Sequence, residues 1–242
     1  MLSIPLHQRL LSYLQPVLLK RSPSDVSGFL ELRLYHDRLQ LLTAGALYSD
    51  GERYFPAVAV AQHLGDFLPT ASRVLVLGAG LGSIVQVMRA RGLCPRYTLV
   101  EKDNVVLRWT REILDEGNER APSGRTDQAV DRGEKGVEEL LGDAEAFMAR
   151  NERKYDLVFV DLFAGRDVPD FVTTGVFLRQ CRAGLSPGGH LALNYLETDR
   201  GRWSRLRTAF AEVFPACHII SKDDNRILIS RPALTGHAPT PG

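Results

Sequence analysis

The stretch VLVLGAGLGSIVQVM, residues 74–88, constrains the fold more than any other part of the chain. A short apolar run leads directly into Gly78-Ala79-Gly80-Leu81-Gly82 and then into an apolar segment of helical character. A buried strand that turns through glycines into a helix is the opening unit of a doubly wound parallel sheet, and such sheets bind ligands beyond the carboxyl ends of their strands. Downstream the pattern repeats. Strands are predicted at 73–77, 97–101, 137–141, 155–161 and 189–195, and helices at 83–91, 103–114, 143–151, 172–183 and 202–213. Continuously apolar strands such as YDLVFVD are buried on both faces, which requires helices on both sides of the sheet.

The two ends of the chain read differently. Residues 1–24 hold no acid, and Leu6, Leu10, Leu11, Leu14, Val17 and Leu18 recur beside Arg9, Lys20 and Arg21. That spacing predicts an amphipathic helix, packed on its own domain or on a second subunit as in a homodimer. FLELRLY and RLQLLTA, either side of His36-Asp37, read as a hairpin, and a helix is predicted from 54 to 67. ACHIIS and NRILIS flank Lys222-Asp223-Asp224, which makes the last two strands an antiparallel pair. The fold class is therefore α/β: a Rossmann-like class I methyltransferase sheet, mostly parallel with its last strand antiparallel, extended by a short N-terminal helix and β-hairpin. The expected organisation is residues 1–70 as helix, hairpin and linker helix, 71–234 as the nucleoside-binding domain, and 235–242 as a flexible tail. The polar stretch 119–135 is also expected to be mobile.

Bulk properties narrow the function classes. Net charge is +1, which supplies no electrostatic case for nucleic acid or an anionic membrane. No run of apolar residues is long enough to span a bilayer. His7-Gln8-Arg9 interrupt the apolar N-terminus, against a signal peptide. Cys94, Cys181 and Cys217 are odd in number and far apart, fitting neither a disulfide framework nor a metal site, so the cytoplasm is the expected compartment. The histidines show no metal-ligand spacing, and neither a nucleophile elbow nor a P-loop is present.

Each strand end then offers something to a ligand. The first carries Gly78, Gly80 and Gly82, the second Glu101 followed by Lys102, the third Asp143-Ala144, the fourth Asp161 and the fifth Asn194-Tyr195. The glycines read G-x-G-x-G rather than the G-x-G-x-x-G of dinucleotide sites, a spacing that suits a nucleoside without a pyrophosphate, above all S-adenosylmethionine. This disfavours a nicotinamide-dependent oxidoreductase. Glu101 is placed to accept both ribose hydroxyls. Asp143 is placed beside the adenine, or caps its helix, and both roles can hold at once. Asp161 is the candidate for chemistry, as a carboxylate that orients or deprotonates an amine or hydroxyl; capping the following loop is the alternative. Tyr54 and Tyr195 either line the acceptor pocket or pack.

VLVLGAGLGS, VEKDNVVL, GDAEAF, YDLVFVDLF and LSPGGHLALN occur in the order and spacing of the spermidine synthase-like branch of the S-adenosylmethionine-dependent methyltransferase superfamily, and LQLLTAGALYSDGERY resembles the hairpin and linker that precede its nucleotide-binding domain. The resemblance spans about residues 28–231. It implies a site for S-adenosylmethionine or its decarboxylated form. Three polar signatures of the polyamine branch are absent. Leu81 stands where that branch has an Asp in the glycine loop, Phe55-Pro56 follow Tyr54 in place of His-Glu or Gln-Glu, and Ala164 takes the second Asp of the strand-end pair. Asp167 and Asp170 are the nearby acids that would have to substitute. A diamine needs carboxylates for its two cationic ends, so the reading favours methyl transfer to a small acceptor, with little spermidine formed from putrescine. Aminopropyl transfer and a non-catalytic nucleoside-binding homologue are the alternatives.

Overall fold

The computed structural model describes residues 4–43, 46–119, 136–163, 165 and 167–232. Ala164, the stretch 120–135 and the tail 235–242 lie outside the described residues. The chain opens with α1 (Leu6–Leu11), β1 (Val17–Ser24), β2 (Gly28–Tyr35), β3 (Arg38–Thr43) and β4 (Ala46–Ser49), and the four strands form one antiparallel sheet in the order β1-β2-β3-β4. The expected helix over residues 1–24 is therefore shorter than predicted. Pro16 lacks the N–H that a helix would need and favours extended backbone, and β2 offers β1 a ladder from Val17↔Leu34 to Ser24↔Gly28. α1 buries none of its residues but is tied to the hairpin, Arg9 pairing with Asp37 at 2.8 Å and the buried Ser12 beyond it accepting from the His36 and Asp37 N–H groups, while Leu14 is 84% exposed. The β2–β3 hairpin turns through His36 and Asp37, both at positive φ, as a two-residue turn matched to strand twist requires.

α2 (Phe55–His63) then leads to the second sheet, built from β5 (Arg73–Leu77), β6 (Arg96–Glu101), β7 (Val137–Leu141), β8 (Tyr155–Val160), β9 (Leu185–Leu196), β10 (Cys217–Lys222) and β11 (Asn225–Ser230) in the order β10-β11-β9-β8-β5-β6-β7. Strands β5 to β9 pair in parallel, and β11 runs antiparallel to both β9 and β10. The reversed last strand is inserted one place in from the edge. Connecting helices are α3 (Ser83–Ala90), α4 (Asn104–Glu119), α5 (Ala144–Arg150), α6 (Gly175–Ala183) and α7 (Arg200–Val213). Several bounds depart from expectation: the helix predicted over 54–67 ends at His63, and the one predicted over 103–114 runs on to Glu119. Residues 170–173 form a 3-10 turn before Thr174 caps α6, and residues 185–188, outside the strand predicted at 189–195, extend β9 through a bulged pairing of Leu185 with Tyr155.

Strand alternation splits the core. Val74, Val76, Leu157, Phe159 and Ala192 pack with α2 and α3, while Leu75, Leu77, Val158, Val160, Leu191 and Leu193 pack with α5, α6 and α7. A third cluster joins the two layers: Leu30, Leu32 and Leu41 of the first sheet meet Leu81 of the glycine loop and Val106, Trp109 and Ile113 of α4.

Candidate functional site

Backbone geometry, more than ligand approach, explains the glycine loop. Gly78, Gly80 and Gly82 all hold positive φ, at 88°, 51° and 70°, where a side chain is strained. A Cβ on Gly78 would lie 2.2 Å from the carbonyl oxygen of Asp161, and one on Gly82 would lie 2.9 Å from Leu114 Cδ2. Gly82 thus lets α4 pack against the start of α3 and does not border the cleft; Gly78 and Gly80 do. Ala79 also lies off the cleft but donates its N–H to Glu101 Oε2 at 3.0 Å. Leu81, in the place of the expected acid, is completely buried in the cluster joining the two sheets. Its N–H donates to Ser49 Oγ at 3.2 Å, and Ser49 bonds Ser83 at 2.5 Å, so β4 clamps the loop from outside.

Around this loop Glu101, Lys102, Asp103, Asp143 and Ala144 border one cleft with Asp161. Glu101 Oε1 accepts from the Asp103 N–H at 3.0 Å, so both carboxylate oxygens are held by backbone donors, each with lone-pair capacity remaining. Burial raises the Glu101 pKa, and those N–H groups oppose the rise. Asp143 caps α5 by accepting from Ala146 N at 3.0 Å. Asp103, missed in the sequence, is buried; it accepts from Val105 N at 2.9 Å and from the Ser24 hydroxyl, tying the β1–β2 turn to the start of α4. Its only sequence signal was an acid just before a helix. Carboxylates anchored this way fit a nucleoside that presents hydroxyls and an exocyclic amine.

At the end of β8, Asp161 Oδ1 accepts from Asn194 Nδ2 at 2.8 Å and from Tyr54 Oη at 3.2 Å. Burial raises the Asp161 pKa to about 7, opposed by these two donors and assisted by the Glu101 charge. Burial and the Asp161 charge push Tyr54 well above its ordinary value, so it stays a donor. Tyr195 does not join them. It is buried on the opposite face of the sheet, stacked on Trp203 at 5.6 Å, and its neighbour Asn194 meets Asp161 instead; Tyr54 and Asn194 hold Asp161 from behind and do not themselves border the cleft. Asp170 is exposed and paired with Arg202, and neither it nor Asp167 borders the cleft. Leu162, Phe163, Pro169 and Phe171 form the apolar wall instead. The first sheet supplies the remaining wall with Val26, Ser27 and Tyr48, whose Oη accepts from Gly165 N at 2.7 Å. Sequence reasoning did not connect these three to the site, because nothing local reveals which elements meet across a hundred residues.

No family model matches the chain. It is 27% identical over 187 residues to the polyamine aminopropyltransferase of Vibrio vulnificus (strain CMCP6), covering 75% of this chain and 57% of that protein. It is 26% identical over 142 residues to the polyamine aminopropyltransferase of Prochlorococcus marinus (strain MIT 9301), covering 58% and 46%. The chain thus spans about half the length of these curated relatives. Among solved structures, a probable spermidine synthase from Corynebacterium glutamicum ATCC 13032 superposes with a TM-score of 0.69 at 20% identity, over 88% of this chain and 79% of that one. A spermidine synthase in complex with the transition state analogue AdoDATO gives 0.67 at 16%, over 90% and 74%. Human methyltransferase-like protein 13 in complex with SAH gives 0.57 at 18%, over 76% and 82%.

Proposed function

We propose, from the place of this chain in the spermidine synthase-like branch of the class I methyltransferase superfamily, that it is a transferase that moves an alkyl group from an S-adenosyl sulfonium to an amine, with Asp161 taking the proton. The observation that carries this reading is the convergence of Glu101, Asp143 and Asp161 on one cleft. When bound, the sulfonium supplies an electrophilic carbon. The chain supplies the rest. Glu101 anchors a ribose, Asp143 faces an exocyclic amine, and Asp161, whose pKa lies near 7, is poised as a base at neutral pH. The free cysteines suit a reducing cytoplasm.

The polyamine aminopropyltransferases among its relatives favour aminopropyl transfer from decarboxylated S-adenosylmethionine over the methyl transfer that residue chemistry alone favoured. The missing carboxylates then bear on the acceptor. Leu81 lies in the core, and Asp167 and Asp170 stand off the cleft. Putrescine is therefore expected to be a poor acceptor. The burial of Leu81 also sustains methyl transfer as a second reading, because a donor that keeps its carboxylate has no use for an acid there.

The test pairs each donor with a panel of amines. Release of methylthioadenosine from decarboxylated S-adenosylmethionine supports the first reading, and release of S-adenosylhomocysteine supports the second. Neither product, together with unchanged S-adenosylhomocysteine affinity in Glu101→Ala, would sink both.

A further inference from the structure

Asn194 lies two residues before the end of β9, beside Asp161, with no part of it exposed. Only its amide N–H end is used: Nδ2 donates to Asp161 Oδ1, while Oδ1 of Asn194 is buried without a partner among the described residues. Buried amides are ordinarily satisfied at both ends, and an empty acceptor costs stability. The donor is the end of this amide that the structure uses. Alternation along β9 agrees. Leu191, Leu193 and Tyr195 face α6 and α7, whereas Ala192 faces the layer that holds Tyr54. Asn194 thus brings an amide donor, and no charge, to the Asp161 side of the sheet.

We infer that Asn194 is a positioning residue: it occupies Asp161 Oδ1 and stabilises the carboxylate charge, leaving Oδ2 as the atom that takes the acceptor's proton. The inference rests on the reading of Asp161 as proton acceptor. The reaction balances without further reagents. The amine nitrogen forms a bond to carbon, the carbon–sulfur bond breaks with its electron pair left on sulfur as a thioether, and the proton shed by nitrogen passes to Asp161 Oδ2. The titratable or polar groups that face Asp161 are Tyr54 from the start of α2, Asn194 from β9 and Glu101 from β6. Asn194 and Tyr54 lower its proton affinity, whereas burial and Glu101 raise it. Without the amide, the balance shifts to protonated Asp161 at neutral pH, and the acceptor meets an acid where it needs a base.

Asn194→Leu removes the donor and keeps the branched outline of the side chain, at a larger volume. The carboxyl carbon of Asp161 is followed by NMR titration of the full chain, and turnover is followed against pH. The wild-type midpoint is expected near 7. In Asn194→Leu it moves up by about one to two pH units, the ten- to hundred-fold in proton affinity that a charge-assisted hydrogen bond is worth. The acid limb of kcat/KM moves with it, S-adenosylhomocysteine affinity holds, and Tm relative to wild type is lower at pH 8 than at pH 5, because only the ionised carboxyl loses the charge-assisted bond. Tyr54→Phe, losing the longer bond, shifts the midpoint less. Should the leucine variant not fold, Asn194→Ser is expected to lie between it and wild type. A midpoint unmoved in these variants, or activity lost equally at every pH, would overturn the inference. A protein that transfers nothing to any amine would sink the proposed function, yet the carboxyl titration would still decide the role of Asn194.

Discussion

At the residue scale, the site trades stability for readiness. The Asp161 pKa near 7 exceeds that of an ordinary carboxyl, so the folded chain binds this proton more tightly than the unfolded chain does. Its contribution to stability is complete at low pH, declines as pH rises towards 7, and is gone above. Asp161→Asn abolishes the cost of ionisation while still bonding Asn194 and Tyr54. The variant is expected to have a higher Tm than wild type at pH 8, with the difference shrinking at pH 4 to 5, and to lose transfer at every pH. Differential scanning calorimetry at the two pH values checks this, and a Tm gain that is larger at the acidic value would contradict it. The same trade appears in Glu101, whose burial is offset by the N–H groups of Ala79 and Asp103.

At the element scale, the glycine loop is held by its own protein. Ser49 of β4 clamps it, Leu81 plugs it into the cluster under the first sheet, and Gly82 admits Leu114 of α4. Leu81→Asp, the change that would restore the resemblance to polyamine enzymes, therefore places a charge in an apolar core. A loss of several kcal/mol is expected, seen as a lower urea midpoint, with no gain in putrescine turnover. A variant as stable as wild type that forms spermidine would show that the loop can turn its side chain into the cleft. Among the described helices α1 alone buries nothing, and its shortness follows from Pro16 and from the pairing of β1 with β2.

At the scale of the whole molecule, the two sheets share one cleft and one core cluster. Val26, Ser27 and Tyr48 wall the site from the first sheet, and Trp109 packs among Leu30, Leu32 and Leu41. Unfolding is expected to show one calorimetric transition. Trp109→Ala, at a cost of about 3–5 kcal/mol, is expected to lower that single transition without splitting it. Two resolved peaks in wild type, or melting of the first sheet alone in the variant, would show that the sheets are independent.

What the chain determines by itself is whatever lies in one strand, one turn or one helix. The run from Val74 to Met88, the apolar strands, the reversed final pair and the acids Glu101, Asp143 and Asp161 at strand ends were legible because periodicity of 2 and 3.6 and turn chemistry are local. The hairpin at His36-Asp37 belongs to the same class. Position along a strand also placed Asn194-Tyr195 at the edge, but which of the two faces Asp161 depends on the pleat, set only when β9 pairs with β8 and β11. That Gly82 serves Leu114 rather than a ligand, that Leu81 is core, that Asp170 spends its charge on Arg202, and that Tyr48 reaches Gly165 are contacts between residues distant in sequence. They arise from how layers stack. Burial then converts an ordinary carboxyl at Asp161 into a base near neutrality, because desolvation is a property of the packed molecule and has no value along an isolated chain.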